Sequence, residues 1–133
     1  IIEFFGELDD SIIKYNYPDR QHGFDSAAEI IQQGNIPTAV IASNDSIALG
    51  VIECFMVNGF NIPNDVSIIG FDNIEFSSLP GISLTTVNEP RYDIGVMAAE
   101  SIIKLINGSM TPPIQIDIEP ELIMRKTCTK VKY

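Results

Sequence analysis

The residues of this sequence that could do chemistry stand at the ends of two short apolar runs. The first run, residues 39–42, stops at Ser43-Asn44-Asp45, and the second, residues 66–71, stops at Asp72-Asn73. A carboxylate and a carboxamide at strand ends offer directional acceptors and donors to a small polyhydroxylated or heterocyclic ligand, and an aromatic ring offers it a stacking face. Asp72, Asn44 and Tyr17 make up such a set. A plainer alternative stays open: Ser43 or Asn44 caps the next helix, and Asp72-Asn73 only turns the chain.

The remaining reactive residues do not compose a catalyst. Turnover needs a nucleophile with a base or a pair of tuned carboxylates, yet the single histidine, His22, sits in PDRQHGF as a surface residue at a helix start. There is no HExxH, no CxxC, no glycine-rich phosphate loop and no Ser-His-Asp set. Asp9-Asp10, Asp117 and Glu119 read as solvated charges rather than metal ligands. Cys54 and Cys128 are too few and too unpatterned for a disulfide framework or a metal site. The expectation is therefore a binding protein with no catalytic residues, no metal and no cofactor.

Composition narrows the partners. Eighteen acidic against eight basic residues give a formal net charge of -10, which repels a phosphate backbone and argues against nucleic-acid binding by this piece. With 133 residues, 45% of them hydrophobic, the chain can build one ordinary core. No leader-like segment and no apolar run near membrane-spanning length is present, so no membrane partner is expected, and a reducing cytoplasm is the default.

The elements that must position Asn44 and Asp72 follow from periodicity. Residues 1–8 read as the end of a helix and 11–15 (SIIKY) as a β-branched strand, the first of three parallel ones. Residues 23–33 are helical, with Phe24, Ala27, Ala28 and Ile31 on one stripe and Gly34 as C-cap. A strand at 38–42 leads to a helix at 45–57 that turns Ile47, Ala48, Val51, Ile52 and Phe55 inward and ends at Asn58-Gly59. Strand 66–71 closes a βαβαβ succession, an α/β fold with a doubly wound parallel sheet. In such sheets ligands sit outside the carboxyl ends of the strands, which puts Asn44 and Asp72 on one edge.

Beyond residue 71 the order changes. A loop at 72–83, a short strand at 84–87, and a helix opened by Pro90 and ended at Asn107-Gly108 are expected. After a turn at 110–113, Ile114, Ile116 and Ile118 alternate with polar residues as a half-buried strand, and residues 122–124 form the last one. The helix carries two apolar stripes, Ile94, Ala98, Ile102, Leu105 and Ala99, Ile103, Ile106. A helix so apolar expects partners on two sides. Either it packs flat on its own sheet, or it leaves that sheet for a partner outside, with exchange between two copies as one outcome.

Five ordered blocks, PTAVIASNDSIALG, GFNIPNDVSIIGFDN, LTTVNEP, IGVMAAESIIKLING and PELIMRKT, together resemble the lactose/galactose repressor (LacI/GalR) family of bacterial transcription regulators over residues 23–127. The resemblance implies a periplasmic-binding-protein-like fold, of which this chain is a fragment. Residues 1–87 and 114–133 would be the C-terminal subdomain, and 88–113 would cross to an absent first subdomain. It implies a small-molecule effector, expected to be a sugar or related metabolite, and operator DNA bound through an upstream helix-turn-helix absent from the chain. It also implies a homodimer whose face is built from His22, Phe24, Leu49, Ile52, Glu53, Leu79 and Ile82.

In that family the Asn of SND and the first Asp of the FDN turn contact effector, which again selects Asn44 and Asp72. Two departures stand out. The family's usual aromatic position is Pro18 here, so Tyr17 would substitute from next door. Glu89 replaces the usual Gln of TTVxQP and becomes a candidate ligand contact, unless it only caps the following helix. The alternative function is a solute-binding protein of a sugar transporter, which shares the fold; an α/β enzyme lacks its catalytic set.

Overall fold

The structure is a computed structural model that describes residues 13–14, 17–113 and 115–130. The expected helix end at 1–8 and, apart from residues 13–14, the expected strand at 11–15 lie outside the described residues. The described elements run α1 (Arg20–Gln33), β1 (Ala39–Ile41), α2 (Asp45–Val57), β2 (Ser67–Phe71), a 3-10 turn (Glu75–Ser78), β3 (Thr85–Asn88), α3 (Arg91–Ile106) and β4 (Glu121–Ile123).

The four strands form one sheet in the order β1-β2-β3-β4, parallel at the first two junctions and antiparallel at the third. Parallel neighbours need a crossover, and α2 provides it between β1 and β2. Val40, Ile68 and Leu84 turn one face of the sheet into a core with Ala48, Val51, Ile52 and Phe55 of α2 and Ala27 of α1. Both predicted helix stripes are thus the ones that pack. On the opposite face Ile41 is 85% exposed.

The two helices pack closely because of glycine. A Cβ on Gly23 would collide with the Ile47 carbonyl, and one on Gly50 with the Arg20 carbonyl. α1 starts at Arg20, three residues before the expected position, because Asp19 accepts the His22 N–H at 2.9 Å and caps the helix. The predicted Gly34 cap is present, with φ +71° and its N–H on the Ile31 carbonyl.

The C-terminal stretch stitches the sheet together. Thr127 is buried, and its hydroxyl donates to the Ile68 carbonyl at 2.6 Å while accepting the Thr85 N–H at 2.8 Å. It fills the gap between β2 and β3 before their ladder begins.

After β3 one alternative is excluded and one expectation fails. α3 has the predicted span but no buried residue, so of the two alternatives it does not pack flat on its own sheet, and Ile102, Ile103 and Ile106 remain exposed. Residues 115–118 form no strand. Alternation marks a pleated surface only where a neighbouring strand offers a ladder, and here Ile116 and Ile118 instead line a cleft with Ile94, Met97, Ala98 and Ser101 of α3.

Candidate ligand site at the strand ends

Sheet register brings the candidate residues together. Ile41 is the partner of Ile69, and Ile69 of Thr85. Three residues beyond that row stand Asn44, Asp72 and Asn88, so all three lie at the carboxyl edge of the sheet, Asn88 as the last residue of β3. Glu89 and Arg91 follow Asn88 on the same side.

Asn44 is the N-cap of α2. Its Oδ1 accepts the Ile47 N–H at 2.8 Å, and its Nδ2 donates to the Pro18 carbonyl at 3.1 Å. The capping alternative is therefore realised, and the same amide anchors the loop that carries Tyr17. Tyr17 is 73% exposed, with its ring centroid 5.3 Å from that of His22. An exposed ring on a tethered loop is suited to stack on a ligand.

Asp72 makes the turn in an unusual way. It and Asn73 both have positive φ, +105° and +51°, a region that side-chain-bearing residues occupy only when the surroundings hold them there. The backbone is engaged: the Asp72 N–H donates to the Val87 carbonyl at 2.9 Å, and the Asp72 carbonyl accepts from Arg91 Nη2 at 2.6 Å. The Asp72 and Glu89 carboxylates take no hydrogen bond or ion pair among the described residues, and both residues are half-buried. That leaves acceptor capacity at the strand edge.

Sequence reasoning passed over Arg125 and the buried role of Asp45, which hold this turn. Arg125 of the RKT block donates to the Leu84 carbonyl at 2.7 Å, Ser77 Oγ at 3.1 Å and Asn73 Oδ1 at 2.6 Å. Asn73 Nδ2 in turn donates to Asn88 Oδ1 at 3.1 Å. Asp45, read only as the start of a helix, is fully buried. Its signal was present as an acidic residue inside an apolar helix face, a place where a charge persists only with partners.

The residues expected on the dimer face divide. Leu79 is exposed, and Leu49 and Glu53 are half-buried. Glu53 pairs with Arg20 at 2.6 Å, and His22 Nδ1 lies 2.8 Å from Asp19 Oδ1. Phe24 and Ile82 lean on the core from its margin. Ile52 is a correction: it is 6% exposed inside the core, because its turn of α2 faces the sheet, and it is not free to form an apolar interface centre.

Among the described residues no group of three or more potential metal ligands occurs, and no helix is long and apolar enough to cross a membrane. Burial raises the Cys54 thiol above its ordinary value. The N–H of His22 and then its ring hold the Asp19 carboxyl below the usual range.

A four-stranded, mostly parallel sheet with polar groups at its carboxyl edge and a helix that leaves the sheet defines an α/β lobe of the kind that open parallel sheets build. The chain belongs to the periplasmic binding protein-like domain family, whose model matches residues 8–128. It is 35% identical over 107 residues to the HTH-type transcriptional repressor PurR of Pasteurella multocida, a match covering 80% of this chain and 32% of that protein. It is also 35% identical over 96 residues to the arabinose metabolism transcriptional repressor of Geobacillus stearothermophilus, covering 71% of this chain and 26% of the relative. The lac repressor dimer bound to operator and the anti-inducer ONPF superposes with a TM-score of 0.77 at 28% identity, over 83% of this chain and 38% of that one. The chain thus spans about a third of the length of such relatives, and the resemblance seen in the sequence is borne out.

Proposed function

We propose that this chain is the effector-binding and dimerisation lobe of a bacterial transcription repressor. The observation that carries the reading is the shared register of Asn44 and Asp72 beyond the Ile41–Ile69 pair, with the Asp72 carboxylate unengaged among the described residues. Asp72 would accept ligand hydroxyl or N–H groups, Tyr17 would stack on the ligand, and Glu89 would supply a second acceptor. Asn44 would act through its exposed edge and by holding the Tyr17 loop.

The ligand would be a sugar or related metabolite, bound between this lobe and a second one to which residues 88–113 cross. That crossing accounts for an apolar α3 that buries nothing on its own sheet. In the intact protein, a homodimer in the cytoplasm, a helix-turn-helix would carry operator DNA, since a net charge of -10 suits this lobe poorly to a phosphate backbone. Effector would then act by favouring one arrangement of the two lobes, and so of the DNA heads. Repressor relatives, rather than transport proteins, favour regulation over solute capture. They also favour binding over catalysis.

Fluorescence anisotropy of the full-length protein on DNA from its own promoter region, titrated with neutral sugars, uronic acids and nucleobases, tests this. The reading expects at least one compound to change DNA affinity severalfold. DNA affinity absent, or indifferent to every compound, contradicts it.

A further inference from the structure

We infer that Asp45 is the positioning residue of the ligand edge, its buried carboxylate fixing the three segments that carry candidate ligand groups relative to one another. The inference rests on the proposed ligand edge but adds a residue that does not itself touch ligand. Asp45 is fully buried, with Oδ1 accepting the Thr86 hydroxyl at 2.6 Å and Oδ2 accepting the Ile74 N–H at 2.9 Å. Its own backbone follows Asn44, Ile74 stands two residues after Asp72, and Thr86 stands three residues before Glu89. One side chain thus joins the α2 start, the turn after β2 and the end of β3.

Three further features fit a built site rather than an accident of packing. Asp45 lies in the first turn of α2, where the helix dipole favours a negative charge. Gly70 of β2 faces it, and a Cβ there would collide with Asp45 Oδ1, so the strand gives up a side chain to admit the carboxylate. The turn it grips contains the two consecutive positive-φ residues Asp72 and Asn73, which need outside support to persist. Arg125 also holds this turn, through Asn73 Oδ1, but its hydrogen bonds go to Leu84, Ser77 and Asn73 and none to α2. A buried carboxylate deprived of one donor loses far more than an exposed one, so the grip is sensitive to each partner.

Amide hydrogen exchange and relaxation dispersion on the ¹⁵N-labelled full-length protein test the role without any ligand. In Asp45→Ala, the Ile74 amide should exchange about tenfold or more faster than any global change explains, roughly one lost hydrogen bond. New dispersion should appear at Asp72, Asn73 and Asn88, while α1 and β1 amides keep their protection. Asp45→Asn should restore most of it, because its oxygen can accept from Ile74 and its amide can donate to Thr86. If Asp45→Ala does not fold, Thr86→Val, which replaces the hydroxyl by a methyl group of similar size, should give the same dispersion at Asp72 and Asn88. Uniform loss of protection across the chain, or an unchanged turn, overturns the inference. Failure here leaves Asp72 as a ligand group untouched, and failure of ligand binding leaves this result standing.

Discussion

At the scale of single residues, Asn44 and Asp72 differ in what their side chains already do. Asn44 uses both ends of its amide on backbone groups, so Asn44→Ala should cost about 1 kcal/mol of stability, the usual loss for a capping residue. Asp72 uses neither carboxylate oxygen among the described residues, so Asp72→Asn should change stability by less than about 0.5 kcal/mol. Asparagine is the informative substitution, because it tolerates a positive φ better than alanine does. Denaturant unfolding of the two variants checks this pair of expectations. Asp19 adds a pH dependence with a definite sign. Its folded-state pKa is depressed, first by the His22 N–H and then by the His22 ring, so its contribution is present above the unfolded value. That contribution is lost as the pH falls from the ordinary aspartate value of 3.8 through the lower folded one. A carboxyl titration followed by NMR should show Asp19 protonating below 3.8, with the first turn of α1 loosening in step; protonation above that value would contradict the cap.

Among the elements, the closest contact is that between α1 and α2, where Gly23 and Gly50 let backbone meet backbone. Gly50→Ala should therefore destabilise by about 1–3 kcal/mol through overpacking, although alanine is the better helix former. A melting temperature that rises would contradict the close approach. Periodicity made α1, β1, α2, β2 and α3 legible in the sequence, since each pairs an apolar stripe or run with a cap or turn signal. The failure after β3 has its cause in tertiary context: residues 115–118 alternate like a strand but have no ladder partner. The two apolar stripes of α3, by contrast, were legible as more than its own sheet covers. Asn44 and Asp72 were legible as strand-end residues. The clamp made by Asp45 and Arg125 was less so, because its partners lie 29 to 52 positions away and no local spacing announces them.

For the whole molecule, the proposal is a ligand edge, a dimer face and an α3 that packs on a second lobe. With Ile52 confined to the core, Leu49 and Leu79 remain as apolar members of the proposed dimer face. Sedimentation of the full-length protein should show the Leu49→Asp, Leu79→Asp double variant shifting toward monomer, whereas a double variant that stays fully dimeric would place the interface elsewhere. The ligand edge is the central claim, and calorimetry on the full-length protein addresses it most directly. Any compound from the sugar, uronic acid and nucleobase panel that alters DNA affinity would be titrated into the unaltered protein and into Asp72→Asn. Replacing a charged acceptor should weaken binding at least about tenfold, in line with roughly 1.5–3 kcal/mol for a hydrogen bond to a charged group, while the melting temperature without ligand stays unchanged. Equal affinity in the two proteins would contradict the assignment of Asp72, and with it the ligand edge, as the effector site.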